Sequence, residues 1–430
     1  MQIQKSEIDK SSTTSKSWLK KLGPGLITGA ADDDPSGIAT YSQAGAQFGL
    51  NLLWTMFFTY PLMVGIQVVS ARIGRVTGKG LAWNIRNHFP NWLVYVIVGA
   101  LLIANTINIA ADIAAMGSAA NLLVGGSSHF YGTVFGIISL LLQIFIPYNK
   151  YVQILKWLTL ALLTYVGIIF AVHISWLQVM HAIVMPKLTW TSVTITTIVA
   201  VFGTTISPYL FFWQAAQEVE ELEADPLAKP LKIAPEQASS SFTRIKIDTY
   251  IGMGISNLVA FFIILTAAVT LNLHGVTSIQ TSAEAASALR PIAGEFAFLL
   301  FAIGIIGTGL LAVPVLAGSA AYAMADTFKW KKGLEKKPSV AKKFYGIIVI
   351  SIIGGLALDF APIDPIKALY WSAVINGVIS VPIMAIMMLM GTRAEVMGRF
   401  VITRRLKWLG WLATIAMTVA VFTMLASAIL

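Results

Sequence analysis

Runs of about 20 consecutive apolar residues recur along the chain from Leu22 onward, each long enough to cross roughly 30 Å of hydrocarbon as a helix. This pattern confines the chain to a helical membrane fold, because a membrane β-barrel shows alternating segments of ~10 residues instead. Composition agrees: 57% of the 430 residues are hydrophobic and only 12% are charged, against roughly 25% in soluble domains. The reading gives eleven spans, at approximately residues 22–48, 51–72, 91–116, 130–147, 150–172, 191–217, 246–271, 295–324, 341–360, 365–390 and 407–429.

The charges follow topology. Residues 1–21 are polar, carry scattered lysines and lack the apolar core of a cleavable signal, so the first span is expected to serve as its own insertion signal. With this segment placed in the cytoplasm, every Lys and Arg except Lys187, Arg290 and Lys367 falls in an inner loop or flank, as the positive-inside rule requires. The net charge of +10 is thereby explained by a lipid bilayer rather than a nucleic-acid partner, and an inner cell membrane is the expected location. The Lys329–Lys343 run reads as a solvated, lipid-facing loop. The stretch from Glu218 to Asp248, acidic and then rich in Pro and Ser, reads as a flexible connection. Cysteine is absent, which excludes disulfides, thiolate metal sites and thiol nucleophiles.

Two spans are interrupted. Span 1 carries Gly29-Ala30-Ala31-Asp32-Asp33-Asp34-Pro35-Ser36-Gly37 at its middle, and span 6 carries Phe202-Gly203-Thr204-Thr205-Ile206-Ser207-Pro208. Unpaired backbone groups at mid-membrane depth are tolerated only where they are covered by protein or line a cavity. Pro35 and Pro208 lie about midway along their spans, with Gln43 and Gln214 following in the second halves. This is the pattern of two five-helix repeats, 22–172 and 191–390, each opening with a discontinuous helix at a substrate site, with 407–429 as an extra helix. Five helices per repeat would invert the second.

Three consecutive carboxylates inside a bilayer each cost at least a few kcal/mol unless partnered. In a regular helix Asp32, Asp33 and Asp34 would point about 100° apart. Pro35 and Gly37 permit unwinding, which could aim two of them and several carbonyls at one ion. The third would pair with a polar neighbour or line the access path. The available ligands, including the hydroxyls of Ser36, Thr204 and Ser207, are hard oxygens suited to Mg2+, Ca2+ or Mn2+.

At these residues the chain resembles the Nramp family of divalent-metal transporters, from Gly23-Pro24-Gly25 through the tenth span. The family's Asp-Pro-Gly-Asn signature corresponds to Asp34-Pro35-Ser36-Gly37, followed by a matching Ala39-Thr40. Its Met-Pro-His signature in helix 6 corresponds to Ser207-Pro208-Tyr209. The resemblance implies a LeuT-type 5+5 inverted-repeat fold, all-α, with metal held between broken helices 1 and 6 by Asp34 and the Thr204 carbonyl. The family asparagine is Gly37 here and the methionine is Ser207. Loss of the thioether, with Asp32 and Asp33 added, is similar to the Nramp-related magnesium transporters and points to Mg2+ first and Mn2+ next. The helix-3 acid pair of most members reads Ala111 and Ala114, and the helix-6 histidine is Tyr209, so transport is expected to be weakly coupled to protons or uncoupled. Asp112 is either a relay group or a carboxylate held by helix hydroxyls, Asn105 or Asn108. Asn376 in span 10 either lines the outer gate or packs.

The ion is expected as cargo, with no cofactor. Two other classes fit less well. A sodium-coupled carrier of organic solutes places half-helix N-termini against an anionic group, which three aspartates would repel. An intramembrane hydrolase needs two carboxylates sharing a proton, with Asp112 the obvious mate for Asp34, and no second signature supports it. His88, His129, His173, His181 and His274 lie near helix ends or in loops, and Trp54, Trp92, Trp157 and Trp176 near span ends.

Overall fold

A computed structural model describes residues 28–29, 31–147, 150, 159–362 and 364–429. The segment 1–21, the Gly23-Pro24-Gly25 motif, Ala30, Lys156 and Trp157 lie outside the described residues. Among the described residues all regular structure is helical. The second half of span 1 is α1 (Pro35–Phe48), followed by α2 (Trp54–Thr77), α3 (Asn91–Val124), α4 (Ser128–Phe145) and α5 (Leu160–Ala171). Span 6 is divided into α6a (Ser192–Thr205) and α6b (Pro208–Ala224). Then come α7 (Ala238–Thr270), α8 (Ala297–Phe328), α9 (Lys342–Asp359), α10 (Pro365–Thr392) and α11 (Arg404–Ile429).

Eight helical segments of the described chain are long and apolar enough to cross a membrane by themselves, or nine if a bent pair counts as one span. The remaining two of the eleven expected spans differ for local reasons. α1 starts at the break, and its first half falls mostly outside the described residues. α9 has 18 residues, with Lys342, Lys343 and Asp359 at its tips. After α5 the chain bends by 116° into a short helix, Trp176–Val184, whose Leu177, Met180 and Val184 are exposed, as suits an apolar face lying against lipid.

The packing repeats with a shift of five helices. α1 packs on α7 as α6b packs on α2; α3 on α4 as α8 on α9; α3 on α10 as α8 on α5. The pairs α2–α7 and α3–α8 map onto themselves under that exchange and form the central contacts. This is the inverted-repeat arrangement, with α11 added against α2, α6a and α10. The two glutamines that follow the breaks each tie a half-helix to its surroundings. Gln43 accepts from the Ile279 amide (2.9 Å), and Gln214 accepts from Thr28 Oγ1 (2.6 Å).

The Glu218–Asp248 stretch is ordered, contrary to its polar composition. Glu218 to Ala224 are the last turns of α6b, and 238–248 are the first turns of α7. Buried Glu218 accepts from Arg244 at 2.5 Å, and Arg244 also reaches Glu221 at 2.9 Å. Glu220 accepts from Tyr322 of α8 (2.7 Å) and Glu223 pairs with Lys336 (2.9 Å). The connection itself is pinned by Leu231 and Lys232 amides on the carbonyls of Arg75 and Val76. The Lys329–Lys343 segment is likewise folded onto the protein: Lys332 pairs with Asp326, and Tyr345 donates to the Lys336 carbonyl (2.9 Å). Composition reports charge, whereas order here comes from where the partners are packed, and Glu220–Tyr322 and Glu223–Lys336 join residues 102 and 113 positions apart.

Removing one member of a buried ion pair strands the other, at about 3–5 kcal/mol. Arg244→Ala should therefore lower the melting temperature in detergent clearly, and adding Glu218→Gln to it should recover part of the loss. A double variant no more stable than Arg244→Ala would show that the pair does not bear on stability.

Candidate cation site between the broken helices

Asp34 precedes a proline, which disfavours the helical conformation, and it adopts φ −69°, ψ 169° as the N-cap of α1 with Pro35 in the first turn. Its Oδ1 accepts the Gly37 amide at 2.7 Å, the usual service of an aspartate at this position. Ser207 occupies the equivalent place before Pro208, with extended backbone (φ −79°, ψ 134°). Its hydroxyl does not cap its own helix. It lies within hydrogen-bonding distance of two carbonyls left at the end of α6a, Thr204 (2.7 Å) and Gly203 (2.8 Å).

The two breaks meet. A Cβ placed on Gly37 would lie 3.2 Å from Thr204 Oγ1 and 3.4 Å from the Asp32 carbonyl. Tyr209, in the first turn of α6b, places its hydroxyl 3.0 Å from the Ala31 carbonyl and 3.4 Å from Asp34 Oδ2. Asn108 of α3 donates to the same Oδ2 at 3.1 Å. Asp34 is buried, and among the described residues it forms no ion pair. Its negative charge is met by neutral donors alone.

The three aspartates diverge. Asp32 Oδ2 (2.6 Å) and Asp33 Oδ1 (3.1 Å) share the single hydroxyl of Ser256 on α7, and Asp32 Oδ1 has no hydrogen-bond partner among the described residues. Ser36 faces the other way, onto α10, at 3.0 Å from the Leu369 carbonyl and 3.1 Å from Ser372 Oγ. Among the described residues no three His, Asp or Glu side chains converge as a metal cage. A cation here would be held by one carboxylate together with carbonyls, hydroxyls and water.

Asp112 is completely buried on α3, one helical turn beyond Asn108, and neither of its oxygens has a hydrogen-bond partner among the described residues. Asn105 and Asn108 do not hold it: they donate to α8 and to Asp34, respectively. Asn376 lies on α10 between Ser372 and Ser380, at helical spacing that puts all three on one face. Ser372 meets the first break, Ser380 donates to the Ile206 carbonyl in the second (2.7 Å), and Asn376 Oδ1 is buried without a partner among the described residues. Ser256, Ser372 and Ser380 escaped the sequence reading, although the spacing 372, 376, 380 was a usable signal of a polar helix face.

Paired half-helices with polar ends meeting inside an inverted repeat define a secondary membrane transporter. Residues 25–427 match the family model described as natural resistance-associated macrophage protein-like, and the chain belongs to this Nramp family. A crystal structure of the Eremococcus coleocola manganese transporter, in complex with an aromatic bis-isothiourea substituted compound, superposes with a TM-score of 0.72 at 17% identity, covering 98% of this chain and 89% of that one. Mhp1, a nucleobase-cation-symport-1 family transporter in a closed conformation, gives 0.60 at 15% identity, covering 95% of this chain and 90% of that one. Both likenesses establish the fold.

α6a and α10 approach closely beside the second break: a Cβ on Gly203 would collide with the Ala373 carbonyl and lie 2.6 Å from the Gly377 amide. Gly203→Ala should destabilise the protein by about 1–3 kcal/mol through overpacking. Gly99→Ala, which meets nothing within 4 Å, should be neutral or slightly stabilising. Equal melting temperatures for the two variants would contradict this backbone contact.

Proposed function

We propose that this chain carries divalent metal cations across a cell membrane by alternating access, with Mg2+ preferred and Mn2+ next, and with weak or no coupling to protons. The observation that carries the proposal is Asp34: a buried carboxylate, without an ion pair among the described residues, at the junction of two helix breaks, with no soft sulfur ligand beside it. The remaining ligands in this reading are the Thr204 carbonyl, Ser207, Gly37 and Asn376 Oδ1, with Asp32 and Asp33 adding negative potential from the α7 side.

The preference for Mg2+ rests on Ser207. A hydroxyl gives no advantage to softer transition metals, and an ion held by one carboxylate and neutral oxygens keeps part of its water shell, as Mg2+ does readily. The manganese transporter of the same fold supports a divalent cargo. A second reading, proton-coupled Mn2+ or Fe2+ symport, has one observation in its favour. Asp112 is buried without a partner among the described residues, one helical turn beyond the Asn108 that donates to Asp34. Against it stand Ala111, Ala114 and Tyr209 at the positions where most family members carry ionisable groups. The reading also puts the N-terminus and the Lys/Arg-rich loops in the cytoplasm.

In proteoliposomes, Mg2+ uptake should proceed with or without a pH gradient. Asp34→Ala should abolish it, and Ser207→Met should shift preference toward Mn2+ and softer ions. Mn2+ uptake that excludes Mg2+ and acidifies the lumen would sink both the hard-ion and the uncoupled claims. The absence of native cysteine allows topology to be read directly. In intact cells, Ser278→Cys should react with an impermeant maleimide and Lys337→Cys should be protected; the reverse pattern would invert the orientation.

A further inference from the structure

The Asp34 carboxylate is held from a helix that does not touch it. Asn108 Nδ2 lies 3.1 Å from Asp34 Oδ2, while Asn108 Oδ1, on the other side of the amide, accepts from Ser372 Oγ of α10 at 2.7 Å. Ser372 Oγ in turn lies 3.1 Å from Ser36 Oγ, and both hydroxyls are within reach of the Leu369 carbonyl, at 2.7 and 3.0 Å. An ionised carboxylate has no proton to give, so the nitrogen of the amide must face it. Each serine has a single proton. If Ser36 gives its proton to Leu369, the Ser372 proton goes to Asn108, and both hydroxyl hydrogens have an acceptor. The four side chains, Ser36, Ser372, Asn108 and Asp34, are buried, so bulk water does not compete for these bonds.

Resting on the cation-site reading above, we infer that Asn108 and Ser372 are positioning residues, through which α10 sets the orientation of the Asp34 carboxylate and makes its ion affinity depend on where that helix sits. Asn108 is not itself a ligand, because the atom it turns toward the site is a donor. The same face of α10 reaches the second break through Ser380 on the Ile206 carbonyl, and its backbone abuts Gly203. A displacement of α10 therefore loosens the carboxylate on one side and the freed carbonyls on the other together. Groups that orient a metal-ligating carboxylate typically contribute 10–100-fold to affinity.

The test is calorimetric titration of the purified full chain with Mg2+ and with Mn2+. Asn108→Ala should weaken binding about tenfold or more. Ser372→Ala, which frees the amide to turn, should weaken it less, and Ser372→Thr, which keeps the hydroxyl, should restore it. Asn105→Ala is the structural comparison: it removes an equally buried amide that holds Leu316 and Ser319 of α8, so it should lower the melting temperature and leave affinity in place. Wild-type affinity in both Asn108→Ala and Ser372→Ala would overturn the inference, as would a loss in Asn105→Ala equal to that in Asn108→Ala. If Asn108→Ala does not fold, the Ser372→Ala and Ser372→Thr pair decides. A wild-type chain that binds neither ion sinks the cation-site reading itself, whereas wild-type binding with unmoved variants sinks only the positioning role.

Discussion

Burying an anion in a bilayer without a cationic partner is the constraint to which the centre of this structure is organised. Asp34 receives the Gly37 amide of α1 and the Asn108 amide of α3, and the Tyr209 hydroxyl of α6b, shared with the Ala31 carbonyl, lies 3.4 Å away. Charge-assisted hydrogen bonds of this kind are roughly twice as strong as neutral ones. They keep the carboxylate available without neutralising it, which a lysine or arginine would do. Three helices must therefore converge within hydrogen-bonding distance of one side chain, and the rest of the bundle is arranged to hold them there.

Breaking two helices to build such a centre creates a second problem, carbonyls without intrahelical partners. In span 6 the solution is local and long-range at once. Ser207 turns its hydroxyl back onto the end of α6a, and Ser380 comes from α10 to the Ile206 carbonyl. In span 1 the aspartate that interrupts the helix also caps the one that follows. α10 supports both breaks, and it can do so because Gly203 and Gly377 let its backbone approach α6a without intervening side chains. Away from the site, the acidic end of α6b is bonded to α7, α8 and the Lys336 segment. That half-helix is thereby made part of the scaffold.

Much of this was legible in the sequence, because membrane solvation and backbone chemistry are local. Span lengths follow from hydrocarbon thickness, the positions of the breaks from Asp34-Pro35 and Ser207-Pro208, and the repeat from helix count and matching breaks. What local chemistry did not carry was direction. The sequence suggested that two of Asp32, Asp33 and Asp34 aim at one ion and the third pairs with a polar neighbour, yet the bend at Asp33 sends two of them to Ser256 and only Asp34 toward Asn108 and Tyr209. The Glu218–Asp248 stretch read as flexible because its composition is that of a loop, while the contacts that order it join its own two ends, Glu218 to Arg244, and reach Tyr322 of α8.

By itself the sequence determined the solvent of the fold, the number of apolar spans and the two interruptions, since each follows from a short run of residues and the physics of an apolar medium. Only the tertiary structure decided which polar groups meet at the breaks, that α10 reaches both of them, and that Asn108 links Ser372 of α10 to Asp34. Those relations join residues up to 336 positions apart, as in the contact between Ser36 and Ser372. No local rule reaches that far, because a hydrogen bond depends on where two helices are packed and not on what either one is made of.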